Sequence, residues 1–563
     1  MLNNETNVNN VKSVNIKNHL LQWFKKVLEY AKYNNGVTCT TSFFKIYKLY
    51  LPVSFTIWSY FFSLNNAIAV MFLISLALII FFIGSFFLRC LLKRIFHPLR
   101  LLPSPKEHLI TGHISHFQGC DHSNTFLSFN EKFKEEGLCT LDTLYVPRYV
   151  YLVAPEFIKK ILADGKHFQR STEIRIMSPI IGNSMLTSNY EDHHWQRKLF
   201  NGAFTSQQLK NYFPAFKTHT NLLMKLWSYT CDKEYGTNLT VLNDLSNLSL
   251  DIIGDVGFGY QFNTITSHSG NEFTSAIRYL AEIELNASVF FKVLISCFPF
   301  LIRFFSLFGK RKKCSQIVYK TLNKLIEKRK KEIDNGISTE DKDIITIVLK
   351  DQLQESSKLT NDLIRDNLFL FLVAGHETTS NAMTWCLYML GTNLKVQEKL
   401  REEIQNNILD VDNISFEEVS SLKYMDCVVK ETLRLHGPAP ILRRNTINAT
   451  KFGEYEVPAN TVLQTHVSSL HMNETIYPSP HSFKPERFMT GEIPASFYLP
   501  FGHGVYNCIG KNFALLEIKT FLVKALLQFQ FSVDPKHINY THVIWLTLKT
   551  AEPLLIRVKP IAD

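Results

Sequence analysis

None of the ten cysteines stands in C-x-x-C spacing with another, which removes the usual zinc frameworks, and ten in 563 residues are too sparse for a disulfide scaffold. They read as reduced thiols in a chain that faces the cytosol. Nucleic-acid-binding motifs are also missing. The formal charge of +11 comes from 61 Lys and Arg against 50 Asp and Glu, spread through helical patterns. That spread excludes a nucleic-acid partner and suits a membrane surface or an acidic protein instead. No low-complexity linker follows residue 105, so one large domain at 98–563 behind an N-terminal extension is the expected organisation.

Residues 1–48 form a polar extension, Asn-rich up to residue 18 and expected to be partly disordered. Leu20, Leu21, Phe24 and Leu28 space a short amphipathic helix within it. Residues 49–97 read as a membrane anchor whose main span, 67–88, is apolar and uncharged throughout. About 20 such residues cross a hydrocarbon core of about 30 Å as a helix. Arg89, Lys93, Arg94 and Arg100 follow directly, which places the C-terminal side in the cytosol. The weaker segment at 49–64, interrupted by Pro52, is a second span or an interfacial helix. Pro98, Pro103 and Pro105 then stiffen the way into the domain. Residues 140–153 suggest a strand pair turning near Pro147, followed by a helix with Pro155 in its first turn.

The chemistry concentrates near the end of the chain. Phe501-Gly502-His503-Gly504-Val505-Tyr506-Asn507-Cys508-Ile509-Gly510 runs straight into a helical stretch beginning at Lys511. A cysteine just ahead of a helix N-terminus is expected to have a lowered pKa, because free N–H groups and the helix dipole stabilise the thiolate. Gly504 permits positive φ, Gly510 leaves the first helical turn open to a flat ligand, and the ring of Phe501 can shield the sulfur. Upstream, Thr360 can cap a helix running past Trp385 that contains Ala374-Gly375-His376-Glu377-Thr378-Thr379. A mid-helix glycine costs about 0.5–1 kcal/mol and threonine competes for carbonyls, so this reads as a locally opened turn beside a flat cofactor. Glu431 and Arg434 share a helical face, and Phe483-Lys484-Pro485-Glu486-Arg487-Phe488 follows. Earlier, His193 and Arg197 lie four apart on a helix and could grip one carboxylate between them.

Together these motifs, F-x-x-G-x-x-x-C-x-G, A-G-x-E-T-T, E-x-x-R and the Arg487 segment, resemble the cytochrome P450 haem-thiolate monooxygenases in kind and order, over about residues 98–560. The resemblance implies a mainly α fold with a smaller β lobe. It implies haem b, iron protoporphyrin IX, with Cys508 as axial thiolate and Thr378 and Glu377 as the alcohol and acid that deliver protons. Glu431, Arg434 and Arg487 would lock the haem loop. His193, Arg197 and one arginine after Pro438-Ala439-Pro440, Arg443 rather than Arg444, would reach the propionates. Tyr506 departs from the pattern, since the family usually has Arg and sometimes His there. A phenol donating to a propionate without charge forgoes about 1.5–3 kcal/mol.

The region from about Phe168 to Asn189 would roof the substrate pocket, and residues 287–308 would form a lid pair dipping into the membrane. The reaction implied is insertion of one oxygen atom from O2 into a lipophilic substrate: a fatty acid, sterol, other terpenoid or foreign compound. No flavin or nicotinamide motif is fused here, so NADPH would act through a separate reductase, with cytochrome b5 a further partner. Lys511 and Lys519 would meet that acidic reductase at the endoplasmic reticulum membrane, with the catalytic domain in the cytosol. A haem-thiolate isomerase or dehydratase would need neither Glu377 nor Thr378, and a catalytically idle haem sensor would show no turnover.

Overall fold

The computed structural model describes scattered residues between 71 and 85, then 96–561 with breaks at 108–111, 114–115, 117–122, 143–147, 172–180, 268–270, 283–308, 338–342, 353–357, 535–541, 545–546 and 551. The chain divides into Met1–Lys93 and Arg94–Asp563. The described residues from 71 to 85 are helical. Among the described residues no helix is long and apolar enough to cross a membrane. The polar extension, the 49–64 segment, much of the 67–88 run, the basic flank at 89–94, the lid pair at 287–308 and the middle of the roof lie outside them.

The Arg94–Asp563 unit is mostly helix, with a smaller sheet lobe that chain ends far apart in sequence build together. β1 (Leu138–Leu141) and β2 (Tyr149–Leu152) pair antiparallel, Leu138 opposite Leu152, as the apolar alternation of 140–153 indicates. β2 continues parallel onto β8 (Val462–His466), which pairs antiparallel with β5 (Ile441–Thr446), and β5 with β3 (Phe168–Arg170). β4 (Thr237–Leu239), β12 (Ile556–Pro560) and β9 (Phe529–Val533) form a three-stranded sheet. The three-stranded sheet packs into the helical core through Phe529, Phe531, Ile556 and Val558, and two hairpins are also present, β6–β7 (Thr450–Phe452, Tyr455–Val457) and β10–β11 (His542–Ile544, Leu548–Thr550). Helix α1 (Pro155–Ala163) begins on its proline, whose missing N–H costs nothing at that position, and buries Ile158, Ile161 and Leu162 against the sheet core.

The main core lies among helices. These are α2 (Tyr190–Phe200), α3 (Ser206–Thr230), α4 (Val241–Phe258), α5 (Gly309–Asp334), α6 (Asn361–Thr392), α7 (Lys423–His436) and α8 (Lys511–Gln528). α5 is basic outside and buries only the stripe Cys314, Val318, Leu322 and Ile326, one residue per turn. α6 differs. Its 32 residues extend about 48 Å at about 1.5 Å each, and its sequence is apolar on nearly every face because other helices surround it. Thr360 caps it by accepting the Leu363 N–H at 3.2 Å. The turn around Gly375 does not open, contrary to the sequence expectation. The Thr378 hydroxyl donates to Ala374 O at 2.7 Å and Thr384 to Ser380 O at 2.8 Å, so the hydroxyls satisfy themselves on the preceding turn and the helix continues.

Candidate active site

The loop bearing Cys508 is pressed onto the end of α1. Gly504 has φ +70°, and a Cβ there would sit 2.1 Å from Leu162 O, so glycine is required both for backbone angle and for approach. The Cys508 N–H donates to Phe501 O at 2.8 Å, closing the loop on the residue that opens it. Of the six free cysteines described, five are buried and only Cys508 is exposed. Burial nevertheless pushes its thiol up, against the lowering influence of the Gly510 N–H, Arg197, Arg170 and Lys511. The expected lowering by the helix N-terminus is therefore outweighed: the sulfur is reachable but deep, and desolvation is the larger effect. A Cβ on Gly510 would meet nothing closer than Phe204 at 4.0 Å, which leaves the start of α8 open.

Beside the loop lies a concentration of buried positive charge. Arg170 of β3 and Arg444 of β5 are cross-strand partners, an arrangement that like charges ordinarily disfavour. Burial holds Arg170 down to about 9, with Arg444 adding to the effect, and burial holds Arg444 down to about 10. No carboxylate pairs with either among the described residues. The Tyr506 ring lies under both guanidiniums, 5.0 Å from that of Arg170 and 4.8 Å from that of Arg444, and 4.6 Å from the His193 ring. Cation–π contact of this kind is worth about 0.5–2 kcal/mol. Arg444 Nε and His193 Nε2 are buried with no hydrogen-bond partner. Burial and the neighbouring arginines hold His193 down to about 3, so it is neutral. Two uncompensated guanidiniums and an orphaned imidazole nitrogen around one spot fit the carboxylates of a ligand.

On α6, Ala374 is exposed and Glu377 and Thr378 are half-buried, while the flanking residues pack into the core. A Cβ on Gly375 would meet nothing closer than Ile253 at 3.6 Å, so protein packing alone does not demand glycine there. The Glu377 carboxylate accepts the Thr547 hydroxyl at 2.9 Å.

Behind the loop, Glu431 and Arg434 are wholly buried on α7. Arg434 forks onto Glu431 through Nε at 2.7 Å and Nη2 at 2.9 Å. Arg487 Nε and the Lys484 N–H each reach Glu431 Oε1 at 2.9 Å. His471 carries the network onward: its Nδ1–H donates to Arg434 O at 3.0 Å and its Nε2 accepts the Leu499 N–H at 3.0 Å, two residues before Phe501. Burial holds His471 down to about 3, which keeps that acceptor unprotonated.

The cytochrome P450 family model matches residues 102–555. The chain belongs to the cytochrome P450 family. It is 27% identical to cytochrome P450 4A2 of Rattus norvegicus over 87% of this chain and 95% of that one. It is 26% identical to the taurochenodeoxycholic 6 alpha-hydroxylase of Sus scrofa over 78% and 87%, and 29% identical to cytochrome P450 3A30 of Fundulus heteroclitus over 67% and 77%. These relatives make it a haem monooxygenase of mostly helical fold, and the family carries its haem on a cysteine thiolate.

Several placements in this P450 differ from those read off the sequence. Arg197 turns to the cysteine loop: its Nη2 donates to Asn507 Oδ1 at 2.7 Å and its Nη1 to Asn507 O. Arg444 rather than Arg443 joins the cluster, because successive strand residues face opposite ways and Arg443 turns to Gln464 at 2.7 Å. The Tyr506 hydroxyl donates to Gly165 O at 3.3 Å, so its face, not its oxygen, meets the charges. Lys519 is buried in an ion pair with Asp426 and offers nothing to a partner, whereas Lys511 is exposed. Arg170, His471 and Thr547 escaped sequence reasoning, since none lies in a motif and each acts through residues far along the chain.

Proposed function

We propose that Cys508 is the axial thiolate of haem b in this P450, and that the cluster of Arg170, Arg444 and His193 holds its propionates. The observation that carries this reading is a cysteine that alone among the described ones is exposed, in a loop walled by uncompensated guanidiniums. Bound haem would supply the activation of O2. The chain's own residues do the rest. Arg197 and the Glu431, Arg434, Arg487 and His471 network keep the sulfur loop in place. The uncharged stretch at Ala374 and Gly375 leaves room for a flat ring. Thr378 and Glu377 hold and pass protons at the hydroxyl and carboxylate, a positioned transfer typically worth about 10²–10⁴ in rate.

The balanced reaction is RH + O2 + NADPH + H⁺ → ROH + H2O + NADP⁺, with electrons delivered by a separate reductase and cytochrome b5 as a further donor. The substrate is lipophilic. One relative's name specifies hydroxylation of a taurochenodeoxycholic compound, which supports a sterol-like or other lipid substrate. The uncharged run at 67–88 supports attachment to the endoplasmic reticulum membrane with the catalytic domain in the cytosol. The test is the reduced, carbon monoxide-treated spectrum of the purified protein and of Cys508→Ser. Wild type gives the long-wavelength maximum of thiolate-ligated ferrous haem and the variant loses it; a wild type without that maximum ends the proposal.

A further inference from the structure

We infer that Thr547 is a positioning residue for Glu377, a role that rests on the proton-delivery reading of Glu377 above. The Thr547 hydroxyl donates to Glu377 Oε1 at 2.9 Å, joining two residues 170 apart in the chain. Thr547 is 4% exposed and its neighbour Leu548 is 1% exposed, so the donor is set in packed surroundings. Leu548 pairs with Ile544 across the β10–β11 hairpin, and its N–H is tied to Pro438 O at 2.8 Å in the segment leading into β5. The backbone that carries the hydroxyl is thus fixed from two directions.

Glu377 itself has the opposite character. It is a long side chain, half-buried, whose own backbone carbonyl is drawn off by Asn381 Nδ2 at 2.8 Å and Ser380 Oγ at 3.1 Å. Ordering a long, half-buried glutamate side chain carries an entropic cost that a pre-placed donor helps offset. Its neighbour Thr378 has its hydroxyl turned to Ala374 O, so Thr378 does not orient the acid. The Thr547 hydroxyl thus fixes one oxygen of the carboxylate. Proton input to the oxygen chemistry becomes sensitive to a residue outside every motif that marks the site.

The test needs no organic substrate. Holoenzyme supplied with reductase and NADPH consumes O2 by two balanced routes. One is NADPH + H⁺ + O2 → NADP⁺ + H2O2, and the other is 2 NADPH + 2 H⁺ + O2 → 2 NADP⁺ + 2 H2O. Only the second requires protons delivered for cleavage of the O–O bond, so peroxide released per NADPH consumed reports on delivery. Thr547→Val is expected to raise that ratio about two- to tenfold, the range a net hydrogen bond typically carries, and Thr547→Ser is expected to restore it. On the carbon monoxide complex, the infrared carboxylate band that Glu377→Gln removes should shift in Thr547→Val and stay in Thr547→Ser. A Glu377→Gln enzyme with altered peroxide yield beside an unaltered Thr547→Val enzyme overturns the inference and leaves the role of Glu377 standing. An unaltered Glu377→Gln enzyme removes the role of Glu377 and this inference with it. An unshifted band in Thr547→Val also overturns the inference.

Discussion

Replacing Arg444 by Met should act in opposite directions on the haem-free and haem-loaded protein. The fall from 12.5 to about 10 corresponds to about 3 kcal/mol by which the fold disfavours the charge. A basic group whose folded value lies below its unfolded one destabilises the fold wherever it is protonated, so the penalty is complete below about 10 and disappears only above 12.5. At pH 7 the haem-free protein bears all of it. Met keeps most of the apolar stem and removes the charge, at the loss of one cation–π contact worth about 0.5–2 kcal/mol. The haem-free variant should therefore gain about 1–2 kcal/mol, read as a higher urea midpoint. With haem bound, the same change removes a charge-assisted hydrogen bond of about 1.5–3 kcal/mol. Transfer of haem to a scavenging apoprotein should then become about 10- to 150-fold more favourable, at about 1.4 kcal/mol per factor of ten. A lowered haem-free midpoint, or unchanged haem retention, would refute the assignment of Arg444 to a bound carboxylate.

Arg434→Ala leaves Glu431 fully buried with only Arg487 and the Lys484 N–H. A loss of about 3–5 kcal/mol from a typical total of about 5–15 should yield protein without haem, and a normal haem-to-protein ratio on purification would contradict this. Thr378→Ala should divert NADPH from product to hydrogen peroxide; unchanged peroxide yield would remove Thr378 from proton delivery. His471 is held down to about 3 from 6.5, so the unfolded chain takes up its proton first as pH falls. Stability is lost below about 6.5 by up to about 1.4 kcal/mol per pH unit for this histidine. The urea midpoint should fall more between pH 7 and pH 5 in wild type than in His471→Gln, and equal falls would show that the ring is not kept neutral.

What could be read in the sequence was what repeats or punctuates locally. The cap at Thr360, the proline that opens α1 and the Glu431–Arg434 turn are all fixed by residues within one or two turns of each other, and they stand where their spacing puts them; the strand pair expected over 140–153 begins two residues earlier, at Leu138. The position of the sulfur loop was legible for the same reason. The guanidinium cluster was not. Arg170 and Arg444 meet only because β3 pairs with β5, and no spacing in the chain announces that register. The direction of the Cys508 shift was misread because dipole and donor effects are local whereas burial depends on the whole surrounding fold. The opened turn at Gly375 failed on a hydroxyl that found its own carbonyl.

The sheet lobe also fixes a timetable. Phe168 pairs with Thr446, so β3 leaves the ribosome roughly 280 residues before its partner, a wait of about 15–55 s at ~5–20 residues per second. Over that interval the strand bearing Arg170 has no edge to join, and the cysteine is still to be translated. Assembly of the sheet edge beside the cysteine loop must then follow synthesis of almost the entire polypeptide.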